Sequence, residues 1–200
     1  MDATLWSFLQ TIVPAGIAFA SGLIGVRYGI RRLRQEKRLD FRREQLEKFY
    51  APLAGMREHV VHMARLRQRV SDAAGLQWSE IAQRHTGQLE WDHESEFEPF
   101  GAIIDYENKQ LTEDILPTYR DMLALFRDQY HLMEESTRQF YGELFDFTEL
   151  WDRWLAGSIP SSVMERVNHD GSFLDEIGRD AQHHIRTIRH ELTGSSESSL

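Results

Sequence analysis

The chain contains no cysteine. Disulfides and thiolate-bound metals are therefore excluded, and the composition suits a reducing compartment. Proline is scarce, with five in 200 residues, so long stretches are free of helix breakers. No sustained alternation of apolar and polar residues between turn residues occurs, and no Asn-Gly or Asp-Gly pair joins two β-branched runs. A β-sheet is therefore not predicted. Nucleophile-elbow and Walker patterns are missing as well; Gly22 and Gly25 belong to an apolar run rather than to a phosphate-cradling loop.

What is present begins with residues 3–26, a run of 24 without a charged side chain. A helix of that length reaches about 36 Å, enough to cross a hydrocarbon core of about 30 Å with some tilt. Leu5, Trp6, Phe8, Ile12, Ile17, Phe19, Leu23 and Ile24 form its apolar body, and Trp6 and Tyr28 sit near its two ends, where aromatic rings favour the headgroup zone. Pro14 is tolerable in a membrane helix. The expectation is a single transmembrane helix. Only Asp2 precedes the run, whereas Arg27, Arg31, Arg32, Arg34, Lys37 and Arg38 follow it, opposed by Glu36 alone. Positive flanks stay cytoplasmic, so the N-terminus is expected outside and the remaining chain in the cytoplasm at an inner membrane. A cleaved signal peptide would carry its positive charge before the apolar stretch, not after it. Ser21, Gly25 and Gly29 recur every four residues, a ridge of small side chains that lets two membrane helices approach and self-associate.

Charge divides along the chain. Residues 27–69 hold 13 basic and 5 acidic side chains, and residues 70–200 hold 10 basic and 26 acidic ones. The basic part fits anionic headgroups, where each Lys or Arg gains about 1 kcal/mol. The acidic part argues against nucleic acid as a partner.

Beyond the apolar run the predicted fold is all-α, with an antiparallel helical bundle. The predicted organisation is a transmembrane anchor (1–30), a basic juxtamembrane stalk helix (31–52), a cytoplasmic bundle (53–194) and a disordered tail (195–200). In the stalk, Leu39, Leu46, Leu53 and Val60 fall seven apart, and Phe49, Met56 and Met63 fill the second heptad position, the pattern of a coiled-coil or bundle seam. Arg42 interrupts it. Pro52 is expected to kink the helix or restart it, and Gly75 to stop it. A short helix is expected around Trp78, Ile81 and Ala82, and the acidic stretch 90–98 reads as a solvated loop pinned by Phe97 and Phe100. Helices follow at about 101–111 and, after a turn at 112–116, at about 117–132 with Pro117 in its first turn. The strongest helical signal spans 134–156: Phe140, Leu144, Phe147, Trp151 and Trp154 make one stripe, widened by Tyr141, Phe145 and Leu155 and ended by Gly157. A short helix begins at Pro160, residues 168–171 form a loop, and a last amphipathic helix runs over about 172–193 to Gly194.

Three stretches carry a resemblance: Phe49-Tyr50-Ala51-Pro52-Leu53, Leu116-Pro117-Thr118-Tyr119-Arg120, and Trp151-Asp152-Arg153-Trp154-Leu155 with Pro160 after it. With them, the chain resembles small bacterial proteins that have an N-terminal anchor and a cytoplasmic helical domain and no assigned function. The resemblance implies this architecture and a bacterial inner-membrane setting. It implies no active-site residues.

The nine histidines raise metal chemistry. His59 and His62 stand three apart on a helix, and Glu90-x-x-His93 has the spacing used by di-iron bundles. Such a site needs the motif twice, and Asp180-x-x-His183 is the nearest second copy. His169-Asp170 is the pair found in metal phosphohydrolases, but it requires further ligands, with His131, His183 and His184 available, and it equally makes a turn before a helix. No cofactor is predicted. The function expected is a non-enzymatic, membrane-anchored scaffold or signal relay that self-associates and holds an unknown protein partner. The alternatives are a metal-dependent helical enzyme and a membrane effector of a stress or phage-defence system.

Overall fold

The computed structural model describes residues 27, 29–86, 91–167 and 170–197, with side chains described as far as 194. The predicted membrane span, including Leu5, Trp6, Phe8, Ile12, Ile17, Phe19, Leu23 and Ile24, and the ridge residues Ser21 and Gly25 lie outside the described residues. Among the described residues no helix is long and apolar enough to cross a membrane.

Every element among the described residues is helical. Helix α1 covers 29–45, and a π turn, Leu46–Tyr50, leads into α2, Ala51–Arg84. Then come α3 (His93–Gln110), a second π turn (Leu111–Ile115), α4 (Leu116–Asp128), a 3₁₀ turn (Tyr130–Leu132), α5 (Glu135–Arg138), α6 (Phe140–Leu155), α7 (Ser161–Met164) and α8 (Phe173–Glu197). The chain divides into two compact units. One comprises residues up to Glu44 together with His190–Leu200, and the other Gln45–Arg189.

In the first unit Arg38 and Arg42 both reach Oε2 of Glu191, each at 3.1 Å. Arg42, which breaks the predicted heptad, is therefore an ion-pair residue.

The second unit is a helical bundle. Its core contains Phe49, Tyr50, Leu53, Val60, Leu116, Met122, Phe126, Leu132, Leu144, Ile177 and Ile188. Tyr50 lies against the His184 ring at 4.9 Å, while Arg57 Nε donates to the Leu174 carbonyl at 2.8 Å. Positions rising from the first π turn into α2 meet falling positions on α8, so α2 and α8 are antiparallel. α4 packs most extensively on α6, where the Tyr119 and Phe147 rings meet edge to face at 5.3 Å.

Pro117 stands in the first turn of α4, as expected, and Pro52 in the first turn of α2. The helical path is not broken at Pro52, however, and residues 112–116 do not form a separating turn. Ala51 N–H donates to the Leu46 carbonyl and Leu116 N–H to the Leu111 carbonyl, five residues back in each case. Proline lacks an N–H, and its ring crowds the carbonyl four residues earlier. The wider π turn just before Pro52 and Pro117 relieves that crowding, so the helical path continues.

Gly75 does not end α2, which continues to Arg84. The solvated loop predicted for 90–98 is replaced from His93 onward by the start of α3. There the Asp92 side chain accepts from Ser95 N–H at 3.2 Å, and Glu94 and Glu96 occupy the first turn. Carboxylates are favoured at that end of a helix by the dipole. Pro99 lies inside this helix. The predicted helix 117–132 stops at Asp128, and 134–156 divides at Gln139 into α5 and α6. Phe145 and Leu155 do not widen the buried stripe; both are exposed. Gly157 does end α6, with φ +69°. Gly194 does not end α8, which runs to Glu197.

Candidate functional site

Of the predicted membrane-proximal residues, Arg27, Arg31, Arg32, Arg34, Lys37 and Arg38 are all exposed. Arg32 Nε pairs with Glu36 at 3.0 Å. Gly29 has no side chain or foreign backbone within 4 Å of where a Cβ would stand. Along the predicted seam, Phe49, Leu53 and Val60 are buried, and Leu39, Leu46, Met56 and Met63 are half-buried.

The seam then leaves the core. Beyond Met63 the register slips by one residue: Arg67 holds the next seam position, while Leu66, Val70, Ala73 and Gln77 form a 4-3-4 stripe that faces outward, with Leu66 48% and Val70 38% exposed. Leu66, Val70, Ala73, Ala74 and Gln77 of α2 and Ile103 of α3 line a shallow trough of about 390 Å³ edged by Arg69. Ile104 on α3 is 48% exposed. This stripe at heptad spacing on a 34-residue helix is open to solvent.

A second feature is a buried polar chain. Glu134 N–H donates to the Tyr50 hydroxyl (3.0 Å), the Tyr50 and Thr137 hydroxyls bond at 3.1 Å, and Thr137 Oγ1 donates to Asp180 Oδ2 (2.5 Å). Because the Thr137 proton goes to the carboxylate, the Tyr50 proton must go to Thr137. The chain thus runs one way, from an amide to a carboxylate. Gln45 Nε2 adds bonds to the Leu132 carbonyl (2.7 Å) and to Glu134 Oε1 (3.2 Å). Burial pushes the Tyr50 phenol above its ordinary value, against the lowering effect of its two hydrogen bonds. Burial likewise raises Tyr119.

At the open end of this chain, Ser136 Oγ stands 3.0 Å from His184 Nε2, and Asp180 Oδ1 stands 3.4 Å from the same nitrogen. A hydrolytic triad needs the acid on one ring nitrogen and the hydroxyl on the other. Both groups address Nε2 here, so the arrangement orients the ring rather than activating the serine.

The other histidines are separated. His59 pairs with Asp114 and His62 with Glu58, each at 3.2 Å. His85 stacks on Trp91 and lies 3.3 Å from Glu96. The Trp78 ring meets those of Trp91, Phe97 and Phe100, so both phenylalanines do pin the start of α3 against α2. Asp180 approaches His184, not His183. Glu90 and His169 lie outside the described residues. Among the described residues no three His, Asp or Glu side chains come together as a metal site.

A third feature was not apparent from the sequence. Between α2 and α8 lies a groove of about 730 Å³. Ala54, Val61, Gly178 and the stem of Arg57 are its half-buried floor, and Arg65, Arg179, Gln182 and Arg186 are exposed along it. Its two carboxylates are already engaged, Asp175 by Arg57 at 2.6 Å and Glu58 by His62. The only signal in the sequence is that Arg57 and Arg65 share one helix face, as do Arg179 and Arg186 of α8. Charged helix faces are too common for that to single them out.

Compared with protein-family models, with curated proteins and with solved structures, the chain matches none.

Proposed function

We propose that this chain is a non-enzymatic, membrane-tethered helical interaction module. It self-associates along the outward seam of α2 and holds a protein partner at the cytoplasmic face of a bacterial inner membrane. The observation that carries this reading is the stripe Leu66-Val70-Ala73-Gln77, which runs at heptad spacing along the solvent-exposed face of α2. Exposed apolar stripes with heptad spacing mark helix–helix association. Tethering is supported by the uncharged run 3–26 and the basic block after it. The small-residue ridge Ser21-Gly25-Gly29 offers a second contact between copies.

The test is cross-linking of the full chain in cell membranes. The wild type is expected in the membrane fraction as a cross-linked oligomer, and Leu66→Glu/Val70→Glu as a membrane-bound monomer. Both positions are partly exposed, so the variant retains its fold, which circular dichroism checks. An oligomer unaffected by the double substitution removes the seam from the account. Recovery of the wild type in the detergent-free aqueous fraction removes the tether.

A further inference from the structure

We propose that the α2–α8 groove is a docking site for an acidic amphipathic helix of a protein partner. The inference rests on the reading of the head as an interaction module, but it uses a different face of α2 from the self-association seam.

Length is the first argument. α2 and α8 run antiparallel and meet at Arg57 and Asp175. Arg65 lies eight residues beyond Arg57 on α2, and Arg186 lies eleven beyond Asp175 in the opposite direction. At about 1.5 Å per residue the two end arginines have backbones about 28 Å apart along the groove. That is the length of a helix of about 19 residues, and far more than a single small anion requires.

Floor and rim give the second argument. A Cβ on Gly178 would stand 3.5 Å from Arg57 Cγ, so this glycine makes room for the arginine stem on the floor. Ala54 keeps the floor low beside it, and Val61 supplies an apolar contact for an incoming helix. The rim is polar, as at most protein interfaces.

Charge is the third. The part of the chain after Arg69 is strongly acidic, yet this groove retains a positive surplus. Arg57 is occupied by Asp175, and Arg179 has only a distant contact with Glu176 at 3.9 Å. Among the described residues, Arg65 and Arg186 meet no carboxylate within 4 Å. Guanidinium groups strung along a groove select carboxylates presented at helical intervals.

The test uses the full chain in zwitterionic detergent micelles and fluorescence anisotropy. The probe is a labelled 20-residue amphipathic helix with glutamates on one face and alanine and leucine on the other. A second probe carries glutamine in place of each glutamate, and inorganic polyphosphate serves as a non-peptide polyanion. Residues 27–38 are present in every sample, so the difference between proteins is the measurement. Arg65→Ala/Arg186→Ala is expected to weaken the glutamate probe at least tenfold. Arg153→Ala, a paired arginine on α6, is expected to stay within twofold of wild type, and the glutamine probe to bind at least tenfold more weakly.

Equal binding by wild type and the double variant overturns the proposal. So does equal binding of the two peptides, or arginine-dependent binding of polyphosphate alone. Cross-linking the same samples separates the two readings: an intact oligomer without groove-dependent peptide binding overturns the groove and leaves the seam standing. A Leu66→Glu/Val70→Glu monomer that still binds the glutamate probe supports the groove independently.

Discussion

Removing the Tyr50 hydroxyl tests whether the one-way hydrogen-bond chain stabilises the bundle. Tyr50 is fully buried, and its oxygen accepts from Glu134 N–H and donates to Thr137. Tyr50→Phe keeps the ring against Phe49 and His184 and loses two neutral hydrogen bonds at about 1 kcal/mol each, about 2 kcal/mol in all. Thr137→Val removes the bond to the Asp180 carboxylate as well as the acceptor for Tyr50. Bonds to a charged group are worth about 1.5–3 kcal/mol, so about 3 kcal/mol is expected. The double variant loses the shared bond only once, so it should cost about 4 kcal/mol, with a coupling of about 1 kcal/mol. The assay is urea unfolding of the full chain in detergent, followed by tryptophan fluorescence. With a urea slope of about 2 kcal/mol per M, Tyr50→Phe should lower the midpoint by about 1 M at unchanged slope. A loss below about 0.5 kcal/mol for either single variant, or strict additivity in the double, would refute the chain as a cooperative unit.

Two further predictions concern the same unit. Tyr50 and Tyr119 are held above the ordinary phenol value of 10.0 by burial; the unfolded chain ionises first, so stability should be level below about pH 10 and fall as the pH rises beyond it. Urea midpoints between pH 8 and 11 should decline less steeply in Tyr50→Phe/Tyr119→Phe than in the wild type, and equal declines would count against the burial argument. Gly157 has a left-handed backbone at φ +69°, so Gly157→Ala should destabilise by about 1–2 kcal/mol despite open space around it, as read from the same unfolding curves.

How much of this was legible beforehand depended on the reach of each interaction. The helix-stopping role of Gly157 is local, and so is the aromatic stripe, of which Phe140 and Leu144 are buried. Gly75 misled because a glycine inside a helix has the same letter as one that ends it. The acidic stretch read as a loop also had a local explanation: Asp92 as a cap with Glu94 and Glu96 in the first turn is a helix-start pattern, but their density suggested solvation instead. The π turns were not legible, because proline normally signals a boundary. Gln45, Thr137 and the Tyr50 hydroxyl could not be assigned to the core, since their partners lie 43 to 89 residues away. The groove depends on how α2 and α8 meet, which no single segment encodes.

The second π turn has a consequence for the length of the chain. Leu111–Ile115 holds one residue more than an ordinary helical loop of backbone needs, so α3 and α4 already absorb a spare residue between them. Trimming that spare would leave both flanking helices facing as they do now. The obstacle would be Pro117, whose ring would then press on the carbonyl brought beneath it. The surplus residue is therefore removed cleanly only when the proline is replaced along with it.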